Sequence, residues 1–451
     1  MARCGWFPNP LSELLISTGQ QRRPTWVGVV VVVAVALLLA GTVTLVTSIA
    51  AVLAAASVTG SPVAAERIDL AAGGVPISPV PISTGPRSTG GVSDLASNDQ
   101  DVGAVLADLE DFWSSHGLTG SARPAGGYFA MDSSVGTSGD AAGGSALCIQ
   151  EPSQIVGNAF YCPQGDGIVF DSAALVPVLL GKYGPAALAT AFAHEFAHSV
   201  QAGIGPTAAD RRADPTRLPS ILIEAQADCD AGAFLAWAVA GDTSRVRVPP
   251  GSVLRAITPV LDFRDPVTLA PTDPTAHGLG LDRLTFLLRG YRDGADACRA
   301  LTVDELDLTL GRAGVADATT QPRFASIDQL LTGATAAVAD FAAAAGVPET
   351  GSPAIPDPAD LAAAQPYGQF AAATAAALAT GREITGTDTG AACFAGAWVA
   401  SVFGKTEAGQ LGSWPGDADE ALDLIRGRPG ATFEQVAAYA DGFHDGVGGC
   451  G

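Results

Sequence analysis

Two of the five histidines in this chain stand four residues apart in AFAHEFAHSVQAG, Ala191 to Gly203, with a glutamate directly after the first. His194-Glu195-Phe196-Ala197-His198 is an H-E-x-x-H pattern. Residues i and i+4 of a helix share one face, so the two imidazoles can hold one zinc ion. Glu195, about 100° round the helix, then reaches water next to the metal. The chemistry is hydrolytic: zinc brings the pKa of water toward about 7, and a carboxylate takes its proton as it attacks a carbonyl. The bland alternative is an alanine-rich core helix, and the Phe192, Phe196 and Val200 side of the segment does read as core.

Two histidines leave a catalytic zinc site short of a ligand. Gln201 and Ile204 occupy the positions where the metzincin pattern needs Gly and His, which excludes that solution. Downstream, PSILIEAQADCDAGAFLAW starts at Pro219 with helical spacing and places Glu224 and Asp228 four apart on one face. Glu224 interrupts an apolar run, where an unpaired carboxylate is costly. Glu224 as third ligand, with Asp228 accepting from the other nitrogen of a ligand histidine, supplies both shells of a zinc site. The competing reading is two carboxylates on a solvated helix face.

The elements that must carry these residues are mostly helices. Helical periodicity covers 173–181, 185–202, 219–240 and 279–292, with Pro185 at a first turn and Gly203 past a last one. An earlier helix places Val102, Val105, Leu106, Leu109 and Phe112 on one face and stops at Gly117. GGYFAMDSS and NAFYCPQGDGIVFD have strand character, the second with a Gly-Asp-Gly turn. The expected class is α+β, mainly helical, with a small β region.

The chain also resembles itself. ADCDAGAFLA (227–236) matches AACFAGAWVA (391–400), GYRDGADAC (290–298) matches GFHDGVGGC (442–450), and KYGPAALATA at 182 echoes PYGQFAAATA at 366. This reads as a degenerate duplication. It sets His194 against Leu378, Glu195 against Ala379, His198 against Arg382 and Glu224 against Asp388, so the second copy has lost its metal ligands. His444, opposite Arg292, is then expected at the surface. Repeat symmetry pairs Cys229 with Cys298 and Cys393 with Cys450, while Cys148 and Cys162 bracket the hairpin and make a third disulfide.

Ahead of the folded part, no charged residue occurs between Arg23 and Glu66, and a mostly apolar run fills 25–57, long enough to span a bilayer. Arg3, Arg22 and Arg23 precede it, which places a cytoplasmic tail at 1–24 and everything beyond outside the cytoplasmic membrane as a single-pass protein. A Pro/Gly/Ser-rich linker is expected over 58–100. With 24 basic against 46 acidic residues and a net charge of -22, nucleic acid is excluded as a partner.

AHEFAHSVQ, EAQADCDAG, HGLGLDRLTFLLRGYRDG and FYCPQGDGIVFD are similar, in the same order, to segments of the neutral zinc metallopeptidases of bacteria, a membrane-anchored family with a zincin-type core. The resemblance covers roughly residues 100 to 300, and Ala197 stands where the family often has Gly. It implies a metallopeptidase domain at 101–310 with one zinc ion on His194, His198 and Glu224, Glu195 as general base and Asp228 behind a ligand, as in gluzincins. His277, with Gly278 and Arg283, matches the family's H-G-x-x-x-x-R segment. By the same analogy His277 donates to the oxyanion of the reaction, or else serves the start of a helix. Arg283 is expected to anchor acidic side chains. The degenerate repeat occupies 311–451. The expected function is peptide-bond hydrolysis outside the membrane on peptide or protein substrates. The alternatives are a non-catalytic surface protein of the same fold or a zinc amidase.

Overall fold

Helix α1 runs over Leu95–Ser115. Its start lies inside the stretch read as linker: between Leu95 and Val102 there is no Gly or Pro to stop a helix whose downstream face is anchored, so the helix propagates backwards through this mostly polar stretch. That face, Val102, Val105, Leu106, Leu109 and Phe112, is buried. A computed structural model describes residues 95–118, 123–133, 148–149, 154–241, 245–313, 326–347, 354–405 and 411–450. The stretches expected to form a cytoplasmic tail (1–24), a membrane span (25–57) and most of a linker (58–94) lie outside the described residues, and among the described ones no helix is long and apolar enough to cross a membrane.

Three strands follow, β1 (Gly127–Met131), β2 (Ala159–Cys162) and β3 (Gly167–Asp171), in the order β1-β3-β2. β2 and β3 form the antiparallel hairpin, and β1 adds in parallel to the other side of β3. All residues of β3 are buried, because it is central and its inner face lies on helix α3 (Ala186–Ile204), where Phe170 meets Phe192 edge-on at 5.2 Å. Between them, α2 (Leu175–Val178) continues into a π-helical turn over Leu179–Tyr183 that ends at Gly184, φ 89°.

Beyond α3 come a short capped helix α4 (Ala208–Ala213), then α5 (Ser220–Ala240), α6 (Val253–Asp262), α7 (Gly280–Asp293), α8 (Ala295–Ala300) and α9 (Thr309–Ala313). The periodicity reading passes over α6, which contains Pro259 and follows a Pro-Pro-Gly turn. Its burial explains why it forms all the same: Val253, Ala256, Ile257, Val260 and Leu261 all enter the core. The C-terminal helices are α10 (Ile327–Ala344), α11 (Pro358–Ala364), α12 (Gln369–Thr385), α13 (Asp388–Val402), α14 (Pro415–Gly427) and α15 (Phe433–Asp445). The described residues are thus mainly helical with one small sheet, and the main core cluster runs from α1 to α15, with two smaller ones beside it.

The two helix crossings α5/α7 and α13/α15 are built alike. A Cβ on Gly232 would strike the Leu287 carbonyl oxygen and one on Gly290 that of Cys229; on Gly396 and Gly442 it would strike those of Tyr439 and Cys393. Each pair of helices therefore touches backbone to backbone through two glycines, and a disulfide closes each crossing, Cys229 to Cys298 and Cys393 to Cys450. Cys148 is joined to Cys162. These close approaches fall at the positions that the internal sequence match sets against one another.

His444 departs from the expectation of a surface residue. Because α15 packs on α7, its Nε2 lies 2.8 Å from Thr285 Oγ1 and its Nδ1 3.1 Å from the Arg312 guanidinium. Burial and Arg312 hold its pKa below the ordinary histidine value.

Candidate metal centre

Helix α3 is buried along nearly its whole length, and it carries His194 and Glu195, which have no solvent exposure, and His198 near its open end. Helix α5 lies against it and brings Glu224 and Asp228 to the same level. His194 Nε2 is 3.2 Å from His198 Nε2 and 3.2 Å from Glu224 Oε2, and His198 Nε2 is 3.3 Å from that same oxygen. Among the described residues these three form the one group of metal-ligating side chains, with donor atoms all within 4.8 Å of one another.

The outer nitrogens settle which atoms face inward. His194 Nδ1 donates to Asp228 Oδ1 at 2.8 Å. His198 Nδ1 lies 2.9 Å from Gln201 Oε1, and Gln201 Nε2 donates to the Ile223 carbonyl at 2.8 Å, which fixes the orientation of the amide. Both Nδ1 atoms therefore carry their protons, and in the neutral rings both Nε2 lone pairs point at each other and at the Glu224 carboxylate. Three electron-rich atoms held this way repel unless a cation or extra protons lie among them. The charges around the site act on each of these groups. Burial alone would depress His198, but Glu224 and Glu195 push it up to about 9, and Asp228 and Glu224 raise His194 in the same way. Burial would raise Glu224, yet His198 and His277 hold it well below the usual carboxylate range. The donor set thus fits a metal ion such as zinc.

Asp228 is fully buried and is itself held from behind. Arg283 Nε and Nη2 donate to its two oxygens at 2.8 and 2.7 Å, and Arg283 Nη1 donates to the Phe263 carbonyl at 3.0 Å. The expected role of Arg283, an anchor for an acidic side chain, is the one the geometry displays. Glu195 accepts the Tyr161 backbone N–H of β2 at 3.1 Å, so the strand orients this carboxylate.

His277 sits in the connector between α6 and α7. Its Nε2 is 3.8 Å from Glu224 Oε2, and its ring centroid is 6.4 Å from that of His194. The backbone N–H groups of His277 and Gly278 donate to Asp265 Oδ2 at 2.5 and 2.7 Å, and Gly278 has φ +104°, a conformation that favours glycine.

Sequence reasoning missed three participants: Gln201, Asp265 and the Tyr161 amide. Gln201 carries a readable signal, since i+3 from His198 and i+7 from His194 is the same helix face. Asp265 and Tyr161 act across folded connections that have no local signature.

In the second copy the positions set against His198 and Glu224 hold an ion pair instead. Arg382 Nε donates to Asp388 Oδ1 at 2.7 Å and Arg382 Nη2 to Asp360 Oδ2 at 2.7 Å. Arg428 bonds the same two carboxylates at 2.8 and 3.0 Å. Guanidinium groups supply the positive charge here. Compared with known protein families, with curated proteins and with solved structures, the chain matches none.

Proposed function

We propose that this chain is a zinc-dependent peptidase with a zincin-like core, anchored by its N-terminal segment and acting outside the cytoplasmic membrane. The observation that carries the reading is the convergence of His194 Nε2, His198 Nε2 and Glu224 Oε2 beside the fully buried Glu195. His194, His198 and Glu224 would hold one zinc ion, with Asp228 and Gln201 fixing the two imidazoles. Zinc, when bound, supplies Lewis acidity that polarises a substrate carbonyl and acidifies water. Glu195, oriented by the Tyr161 amide, takes the proton of the attacking water and passes it to the leaving amine. His277, with its backbone held by Asp265, donates from its ring to the oxyanion that develops on the substrate.

A second reading, a non-catalytic surface protein, draws on the closeness of His277 to Glu224. A fourth protein ligand would close the site, as in structural zinc centres.

The Glu195→Gln variant of the full chain, assayed on mixed peptide substrates beside the unmutated protein with zinc content measured in both, separates the two. The peptidase reading expects equal zinc and a loss of at least about a hundredfold in kcat. Equal zinc with equal inactivity would establish the binding role.

A further inference from the structure

The C-terminal repeat grips the connector that runs from the end of α6 to the start of α7 at both of its ends. At the far end, Asp419 of α14 accepts the Gly280 and Leu281 amides, each at 2.8 Å, and so caps α7. At the near end, Arg264 is 3.3 Å from Asp419 and bonds both oxygens of Asp423 at 3.1 and 2.7 Å. Asp419 and Asp423 are buried, with 3% and 4% exposure, so these contacts lie inside the fold. The residues on either side of Arg264 are those that serve the metal centre: the Phe263 carbonyl receives Arg283, and Asp265 holds the His277 backbone. Gly280 leaves little slack, since a Cβ there would meet Asp419 Oδ1 at 3.1 Å and Arg264 Cδ at 3.2 Å.

We infer that the second repeat is a positioning element of the metal centre and that Asp419 is its principal positioning residue. It acts through α7 on Arg283, hence on Asp228 and His194, and through Arg264 and Asp265 on His277. The repeat lost its own ligands and kept a helix that holds the first copy's site in register. The inference rests on reading His194, His198 and Glu224 as a metal site.

The test uses the full chain with Co2+ as a spectroscopic stand-in for zinc, following the visible absorption band and the dissociation constant. Outer partners of metal ligands govern affinity by about ten- to a hundredfold, and Asp419 stands further back, so Asp419→Asn is expected to weaken Co2+ binding by about tenfold and to alter the band. Arg428→Met opens the Arg382 ion-pair cluster in the same repeat without touching the connector, and it is expected to lower stability while leaving Co2+ affinity within about twofold. Should Asp419→Asn fail to fold, Asp423→Asn, which loosens Arg264 and leaves α7 capped, is expected to shift affinity in the same direction by a smaller factor. Co2+ binding that is unchanged by the aspartate variants, or lowered equally by Arg428→Met, overturns the positioning role alone. An unmutated chain that binds no Co2+ overturns the metal site itself, and peptidase activity enters neither outcome.

Discussion

Arg283 is the residue whose removal most sharply separates stability from metal binding. It is 1% exposed and spends two donors on Asp228 and one on the Phe263 carbonyl. Arg283→Met keeps much of the volume but leaves a fully buried carboxylate with the His194 bond to offset its desolvation, a loss of about 3–5 kcal/mol. Adding Asp228→Leu removes that stranded charge, and an apolar pair in place of a buried ion pair recovers much of the loss, so the double variant is expected to be more stable than Arg283→Met by about 2 kcal/mol. Zinc affinity should move the other way. Asp228 still orients His194 in the single variant, whereas the double variant removes the Asp228 carboxylate from His194 Nδ1, and the affinity falls by about ten- to a hundredfold, or about 1.4–2.7 kcal/mol. Urea unfolding in the presence of a chelator reads the first quantity, and zinc titration against a competing chelator reads the second. The reasoning is refuted by a double variant no more stable than Arg283→Met, or by zinc affinity that recovers together with stability.

Gly232→Ala and Gly396→Ala each drive a methyl into a carbonyl oxygen of the partner helix and are expected to cost about 3 kcal/mol or more in urea unfolding. Gly203→Ala, on the same helix as the histidines but with open space around it, should gain about 0.5–1 kcal/mol; similar losses at all three would remove the close-crossing account. Burial, with Asp419 nearby, pushes Asp282 up to about 7 despite its bonds from Thr309, against about 4 in the unfolded chain. Between those values the native form binds more protons than the unfolded one, so stability falls as pH rises, by at most about 4 kcal/mol from this group. Unfolding midpoints of the chelated protein should therefore decline from pH 4.5 to 7.5 and decline less in Asp282→Asn; equal slopes would show that Asp282 does not titrate in this window.

Much of the candidate site was legible because its parts are local patterns. H-E-x-x-H at helical spacing and Glu224 with Asp228 four apart each define a face of one helix, and helix geometry alone orients those side chains. The internal match has the same local character, since glycines and cysteines recur at fixed places in each segment, and the structure shows the glycines as crossing points. Tertiary packing alone decided the rest. That Glu224 meets the histidines of α3 depends on how α5 lies against that helix. Gln201 gains its partner at Ile223 only when the two helices are packed, and Tyr161 reaches Glu195 across the join between strand and helix. The grip of Asp419 on Gly280 and of Asp423 on Arg264 spans more than a hundred residues of chain. A buried carboxylate in a sequence says only that it needs a partner, and which backbone amide or guanidinium answers it is set by the fold.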